Sequence, residues 1–235
     1  MLEQSQDSRF QQLSRDWLIS ATKHKYSYHF TWLGRPIIQF PQDILAMQEI
    51  IWQVKPDLII ETGIAHGGSL IFSAAMLELN SSCGGPPNAE VLGIDVEIRP
   101  HNRRAIEQHP LVKRISMIEG SSVAPEVIEL VQRRAETADR VLVCLDSNHT
   151  HDHVLNELEV YAPLVTVDSY CVVFDTIVEQ LPPEVFEDRS WGPGNSPMTA
   201  VREFLDRNED FEVNNLLDAK LAISVVNNGY LKRIQ

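Results

Sequence analysis

Several features are scarce in this chain of 235 residues, and each scarcity excludes a class of protein. The three cysteines, Cys83, Cys144 and Cys171, are too few and too widely spaced for a disulfide framework. No apolar run approaches the roughly 20 residues that span a bilayer, and the N-terminal residues are polar. We therefore expect a cytoplasmic globular protein without a transmembrane segment.

Basic residues are also in short supply. The chain has 20 Lys and Arg residues against 33 Asp and Glu residues, so its formal net charge is −13. Binding to a phosphate backbone needs a basic surface, and this balance argues against a nucleic-acid partner. With 43 % hydrophobic residues the chain can bury one large core, and we expect it to form a homo-oligomer.

Hydrophobic periodicity alternates helices with strands from Pro41 onwards. Before that point, the spacing predicts an amphipathic helix over residues 1–24 and a proline-interrupted loop over 26–40. This alternation predicts an α/β fold in which right-handed crossovers build a mostly parallel sheet with helices on both faces. Helices are predicted at 41–54, 68–79, 101–108, 124–135, 151–161 and 197–208, and strands at 57–61, 91–95, 114–118, 140–146 and 170–175, followed by two or three terminal strands with a turn at 227–229.

A glycine-rich turn joins the first predicted strand to its helix. Gly63, Gly67 and Gly68 allow a tight turn and leave helix N–H groups free to face a ligand. A dinucleotide fingerprint is absent, because Ala65 stands where the second glycine of G-x-G-x-x-G is needed. A cofactor without a phosphate fits better, and S-adenosylmethionine is the commonest. A turn without any binding function is the alternative.

Carboxylates end four of the predicted strands, where open parallel sheets bind their ligands. Asp95 follows the strand after the glycine turn, where it could accept both ribose hydroxyls of a cofactor; a helix N-cap is the alternative. Ser121 and Ser122, after the third strand, are placed to line an adenine pocket, and an N-cap for the helix that follows is the alternative. The four carboxylates at the strand ends belong to Glu61, Asp95, Asp146 and Asp175.

Asp146 and Asp175 end strands that we expect to be neighbours in the sheet. Two carboxylates with a water and a substrate oxygen suit Mg²⁺, which would lower the pKa of a bound hydroxyl. His149 stands three residues after Asp146 and could take the hydroxyl proton as a general base. A zinc site using His149 and His153 is an alternative, but no cysteine or further histidine has suitable ligand spacing.

Three motifs resemble those of the cephalosporin hydroxylase family, a set of S-adenosylmethionine-dependent methyltransferases that includes rhamnosyl O-methyltransferases. They are Glu-Thr-Gly-Ile-Ala-His-Gly-Gly-Ser at 61–69, Leu-Asp-Ser-Asn-His at 145–149 and Val-Val-Phe-Asp-Thr at 172–176. The resemblance extends over residues 26–235. It implies a Rossmann-like methyltransferase fold with an antiparallel C-terminal strand, a helix and substrate-lid segment at 1–40 and a catalytic domain at 41–235.

The resemblance also implies residue roles. It assigns Asp95 to the ribose, and Asp146 and Asp175 to Mg²⁺. Some members have a glutamate before the last aspartate, where this chain has Phe174, and Thr176 could supply the missing oxygen. The cofactor-binding residues expected from the turn, the strand ends and the family are Glu61, Gly63, Ala65, Gly67, Gly68, Ser69, Asp95, Ser121 and Ser122.

We therefore expect an O-methyltransferase in which Asp146 and His149 are catalytic and the acceptor is a hydroxyl of a sugar, glycolipid or natural product. Trp32, Arg35 and Trp191 lie in segments suited to a lid over such a substrate, and hydrophobic anchoring of loops to the core is the alternative. A non-catalytic binding protein of the same fold is an alternative. A 2-oxoglutarate-dependent hydroxylase fits poorly, because it needs a His-x-Asp pair on a β-helix and the strands here alternate with helices.

Overall fold

The computed structural model describes all residues from Met1 to Gln235. Its helices are α1 (Leu2–Gln6), α2 (Ser8–Lys23), α3 (Pro41–Val54), α4 (Gly68–Ser82), α5 (Pro100–Glu107), α6 (Pro125–Ala135), α7 (His151–Tyr161), α8 (Pro197–Arg207) and α9 (Asn215–Lys220). Its strands are β1 (Thr31–Trp32), β2 (Arg35–Pro36), β3 (Leu58–Thr62), β4 (Glu90–Asp95), β5 (Ile115–Glu119), β6 (Val141–Leu145), β7 (Tyr170–Val173), β8 (Phe211–Val213) and β9 (Tyr230–Arg233).

Seven strands form one sheet in the order β5-β4-β3-β6-β7-β9-β8. The five strands from β3 to β7 are parallel, and β9 runs antiparallel to both β7 and β8. The predicted fold class is confirmed, including the antiparallel C-terminal strand. Because the chain moves outward from β3 in one direction and from β6 in the other, these adjacent strands form a topological switch point, where open α/β sheets bind ligands.

Alternation along β3 explains why both faces of the sheet are covered. Ile59 faces one apolar core, which α3 and α4 also line, whereas Leu58 and Ile60 face a second core that α7 and α8 cover. All five residues of β3 and all five of β6 are buried, as expected for central parallel strands.

The structure differs from the sequence-based expectations mainly outside this sheet. Asp7 interrupts the predicted helix 1–24, because its carboxylate caps α2 by accepting the N–H groups of Arg9 and Phe10. The predicted loop at 26–40 contains a hairpin, β1–β2, whose turn residues Leu33 and Gly34 both have positive φ. Between β8 and β9 lies the short helix α9, which we did not predict. No helix has the length and apolar character needed to cross a membrane.

Candidate active site

The glycine turn lies at the switch point, directly against the end of β6. Gly63 has φ of +92°, and a Cβ at this position would lie 2.0 Å from the backbone oxygen of Asp146. A Cβ on Gly68 would lie 2.1 Å from the carbonyl oxygen of Pro36 in the β1–β2 hairpin. Close packing of backbone on backbone therefore requires both glycines. The sequence predicted a tight turn at Gly63 and approach of a ligand at Gly68, and gave no sign of this packing.

Side chains from three other elements hold the turn in place. Asp95 Oδ2 accepts the N–H groups of Ile64, at 2.8 Å, and Ala65, at 3.1 Å. The Arg35 guanidinium donates to the carbonyl oxygen of His66 at 2.6 Å, and the Asn102 amide donates to that of Ala65 at 2.8 Å. Ala65 has φ of +46°, so these bonds stabilise a conformation that is unfavourable for a non-glycine residue.

Glu61 lies beneath the turn, at the end of β3. Its side chain is buried and accepts a hydrogen bond from the hydroxyl of Ser69 in the first turn of α4. Burial raises the pKa of Glu61 to about 7, although hydrogen bonds from Ser69 and Ser73 oppose the rise. Glu61, Ser69 and Asp146 also share the lining of one small pocket, so this carboxylate adjoins both the turn and the end of β6.

Two cavities meet above the turn. The turn cavity, of about 220 Å³, is lined in part by Gly63, Ala65, Gly68 and Ser69. The serine cavity, of about 260 Å³, is lined by nine residues: Gly63, Ile94, Asp95, Val96, Ser121, Ser122, Ser147, Asn148 and His153. Gly63 and Ser147 line both, so the two cavities form one trough across the carboxyl ends of β3, β4 and β6. Most of the predicted cofactor residues thus meet in one place, and Gly67 alone lines neither cavity nor the pocket at Glu61.

Three polar side chains cluster at the wall of the turn cavity. Asp146 follows β6 and Asp175 follows β7, and the parallel pairing of these strands brings their ends together. One ligand atom from each of Asp146, His149 and Asp175 lies within 4.8 Å of the others. His149 Nε2 is 3.3 Å from Asp175 Oδ2, and the imidazole packs at 82° to the ring of Trp191.

The two carboxylates of this cluster affect each other. Burial, followed by the negative charge of Asp175, raises the pKa of Asp146 well above its usual range. A cation between the two oxygen groups would relieve that repulsion, and partly buried carboxylates are hard ligands suited to Mg²⁺. The composition and spacing of the cluster therefore fit a divalent metal.

Two other candidate ligands have hydrogen-bond partners elsewhere. Thr176 is fully buried, and its hydroxyl donates to the carbonyl oxygen of Val225 at 3.3 Å. Because Asp175 has φ of +55°, the chain turns at that residue and carries Thr176 into the core. His153 lines the serine cavity, where its Nε2 lies 3.2 Å from the Ser122 hydroxyl. The cluster includes His149 without His153, so the structure gives no support to a zinc site built on both histidines.

A third cavity, of about 390 Å³, adjoins the turn cavity at His149 and Asp175. We call it the aromatic cavity, because its wall includes Tyr26, Tyr28, Phe40, Phe186 and Trp191. Of the three residues expected in a lid, only Trp191 lines one of these three cavities. Trp32 packs edge-on against Phe72 of α4, with ring centres 5.0 Å apart, and Arg35 holds the glycine turn. Both are anchors of the β1–β2 hairpin.

A buried carboxylate that was not predicted from the sequence lies behind these cavities. Asp43, in α3, accepts hydrogen bonds from the hydroxyls of Ser224 and Tyr230 and from the N–H of Val225. Burial raises its pKa to about 6. Val225 lines both the turn and aromatic cavities, so Asp43 fixes a segment of their wall. An acid in the first turn of an apolar helix is a common capping pattern, which is why it carried no signal.

The sheet order and the trough at its switch point define a Rossmann-like methyltransferase fold. Comparison with known proteins identifies the family: the model of the rhamnosyl O-methyltransferase/CmcI family matches residues 24–234. The chain therefore belongs to the rhamnosyl O-methyltransferase/CmcI family. By this membership it is an S-adenosylmethionine-dependent O-methyltransferase, and the resemblance inferred from its motifs is confirmed.

Curated relatives agree with this assignment. A rhamnosyl O-methyltransferase of Mycobacterium leprae is 29 % identical over 204 residues, which are 86 % of this chain and 82 % of the relative. A rhamnosyl O-methyltransferase of Mycobacterium tuberculosis is 28 % identical over 205 residues, which are 86 % of this chain and 78 % of the relative.

Among solved structures, CmcI without ligands superposes with a TM-score of 0.58 at 18 % identity and covers 88 % of this chain and 77 % of CmcI. CmcI with Mg and S-adenosylmethionine gives a TM-score of 0.56 at 18 % identity, covering 88 % and 78 %. An O-methyltransferase from Bacillus cereus in complex with S-adenosylhomocysteine gives a TM-score of 0.55 at 14 % identity and covers 86 % of this chain and 82 % of the Bacillus cereus chain. These likenesses show that the fold is shared.

Proposed function

We propose that this protein transfers a methyl group from S-adenosylmethionine to a hydroxyl of a sugar, glycolipid or other natural product, with the assistance of Mg²⁺. The observation that carries the proposal is the cluster of Asp146, His149 and Asp175. Asp146 lines the turn cavity, and His149 and Asp175 line both the turn cavity and the aromatic cavity. A donor in the first cavity and an acceptor in the second would meet at these side chains.

In this proposal the trough above the glycine turn holds the cofactor. Asp95 and Ser122 line its serine cavity and are suited to the ribose and the adenine, respectively. Gly63, Ala65 and Ser69 line the turn cavity, where the methionine part and the reactive sulfonium would lie. The bound cofactor supplies an electrophilic methyl group. Residues of the chain contribute by orienting the two reactants and by excluding water.

Asp146 and Asp175 are the proposed charged ligands of Mg²⁺, and Thr176 is the proposed further oxygen ligand, because a hydroxyl that donates to the carbonyl oxygen of Val225 keeps its lone pairs for a cation. A bound divalent ion would lower the pKa of an acceptor hydroxyl. The support is the 4.8 Å spread of the ligand atoms and the raised pKa of Asp146. Two carboxylates also leave room for water and a substrate oxygen, as Mg²⁺ prefers.

His149 is the proposed general base. Its Nε2–H can donate to Asp175 Oδ2, at 3.3 Å, which leaves Nδ1 as the free acceptor for the hydroxyl proton. The negative charge of Asp175 would then stabilise the imidazolium that forms. Trp191 packs against the imidazole, with ring centres 5.0 Å apart, and limits its rotation.

The acceptor is proposed to enter through the aromatic cavity, and residues 1–40 are proposed to act as a substrate-lid segment over the domain 41–235. Support comes from the contribution of this segment to the walls: Tyr28, Ile38 and Gln39 line both the turn and aromatic cavities. Aromatic faces suit the apolar side of a sugar ring. The acceptor identity and the homo-oligomer stay predictions. Nothing in the structure favours the alternative of a non-catalytic binding protein.

Substitution of His149 tests the chemistry. With a panel of sugars, glycolipids and phenols and isotopically labelled S-adenosylmethionine, His149→Ala should lower methyl transfer by about 10²- to 10⁴-fold, because a positioned base contributes that much. Cofactor affinity, measured by calorimetry, should not change. His101→Ala is the matched control, since His101 is an exposed residue of α5. Unchanged turnover in His149→Ala would reject the role as base, and lack of cofactor binding at millimolar concentration would reject the donor.

A further inference from the structure

The aromatic cavity carries two cationic side chains without a partner in the chain. Lys25 and Arg189 both line it, and neither takes part in any ion pair or side-chain hydrogen bond. Both side chains are exposed, and other exposed cations such as Arg9 and Lys23 are equally unpaired. Lys25 and Arg189 differ from these in lining the same cavity, so both can meet a ligand that enters it.

Arg189 is held where it can reach a substrate near the proposed base. Its guanidinium lies 5.2 Å from the centre of the Trp191 ring, which in turn lies 5.0 Å from the His149 ring. A guanidinium next to an indole is fixed by the ring but keeps its N–H donors available for a carboxylate or phosphate. One ring contact thus separates the cation from the residue proposed to deprotonate the acceptor.

Acidic residues of the cavity wall do not neutralise these cations. Asp175 is the one acid among the 19 residues that line the cavity, and its carboxylate lies 3.3 Å from His149. Glu179, nearby in the chain, is occupied elsewhere: it accepts the N–H of Gly194 and the hydroxyl of Ser196. The remainder of the wall is mainly apolar, with 12 hydrophobic residues. Lys25 and Arg189 are therefore the two Lys or Arg side chains of a mainly apolar wall.

We propose that the acceptor carries an anionic group in addition to the hydroxyl that is methylated, and that Arg189 and Lys25 bind this group. The inference rests on the proposed function, because it takes the aromatic cavity as the acceptor site. A carboxylate, a sulfate or a phosphate would satisfy the same donors. The aromatic wall would contact the ring that bears both groups, so the substrate class is an anionic sugar or an anionic aromatic compound.

Two matched pairs of ligands test this proposal. Each pair differs by one carboxylate: p-nitrophenyl β-D-glucuronide against p-nitrophenyl β-D-glucoside, and 3,4-dihydroxybenzoate against catechol. Each compound is titrated into enzyme saturated with S-adenosylhomocysteine and Mg²⁺. In at least one pair the anion should bind about three- to tenfold more tightly, as expected for an exposed charge-assisted contact. Salt should reduce the preference, because it screens exposed charges.

Variants connect the preference to the named cations. Arg189→Gln should bring the affinity ratio close to one and Lys25→Gln should reduce it, without a change in affinity for S-adenosylhomocysteine. Lys23→Gln is the matched control, because Lys23 is an exposed cation of α2 outside this cavity and should keep the full ratio. Absence of an anion preference in both pairs, or its retention in Arg189→Gln, would overturn the inference. Failure of S-adenosylhomocysteine to bind would instead refute the proposed function.

Discussion

Gly63→Ala is the substitution whose cost follows most directly from the structure. With φ of +92°, an alanine would adopt a left-handed conformation that costs an L-residue about 1–2 kcal/mol. The added Cβ would also lie 2.0 Å from the backbone oxygen of Asp146, a contact that only movement of β3 against β6 can relieve. Such overpacking costs about 1–3 kcal/mol more. We therefore expect the free energy of unfolding to fall by roughly 2–5 kcal/mol.

Chemical denaturation at neutral pH measures this loss, and Gly34→Ala separates its two parts. Gly34 has a similar φ of +87°, but no atom lies within 4 Å of its added Cβ, so only the conformational cost of about 1–2 kcal/mol should appear. Gly63→Ala should also weaken binding of S-adenosylmethionine and lower turnover, because the movement separates the turn from Asp146. Equal destabilisation by the two substitutions would refute the argument that the turn and the end of β6 are packed backbone against backbone.

Two further predictions concern carboxylates near the turn. Burial raises the pKa of Glu61 from 4.5 to about 7, so its stabilising contribution is present below pH 4.5 and is lost as the pH rises towards 7. Between pH 4.5 and 7.5 the free energy of unfolding should therefore fall by up to about 3 kcal/mol less in Glu61→Gln than in the unsubstituted protein. Denaturant titrations at these two pH values measure the fall, and an equal fall in both proteins would contradict the prediction. Asp95→Ala removes the acceptor of the Ile64 and Ala65 N–H groups, which should cost about 2 kcal/mol and weaken S-adenosylmethionine binding at least about tenfold. Asp206→Ala is the control, because Asp206 is an exposed carboxylate of α8, and it should change neither the stability nor the affinity for S-adenosylmethionine. Equal calorimetric affinities for Asp95→Ala and the unsubstituted protein would contradict the role of Asp95.

The sheet could be predicted because its central strands correspond to short runs of apolar residues in the sequence. Five consecutive buried residues, such as Val141–Leu145, read clearly as a central strand. Elements of a few residues have no such periodicity, and β1 and β2 have two residues each. The helix α9 has only six residues, and its N-terminus is capped by Asn214. In the sequence, an asparagine before so short a segment predicts a turn as readily as a helix cap. The break at Asp7 was missed because residues 3–9 are all polar, so apolar periodicity gives no signal there.

The site was predictable to the extent that it lies at strand ends. Asp146, His149 and Asp175 come together because β6 and β7 are adjacent and parallel, which the order of elements already indicated. The position of Thr176 depends on a positive φ at Asp175, and no sequence pattern marks a non-glycine residue in that conformation. The anchoring contact of Arg35 could not be predicted, because its partner, the carbonyl oxygen of His66, is 31 residues away in the chain.

The central claim is that Asp146 and Asp175 hold a divalent metal next to the bound cofactor. The most direct test is calorimetric titration of Mg²⁺ into the protein saturated with S-adenosylhomocysteine. The protein should bind one Mg²⁺, and Asp175→Asn should weaken that binding at least about tenfold, since it removes one of two charged ligands. Asp206→Asn is the matched control and should bind Mg²⁺ as the unsubstituted protein does. Equal Mg²⁺ affinities for Asp175→Asn and the control, or no binding by the unsubstituted protein at millimolar Mg²⁺, would contradict the account.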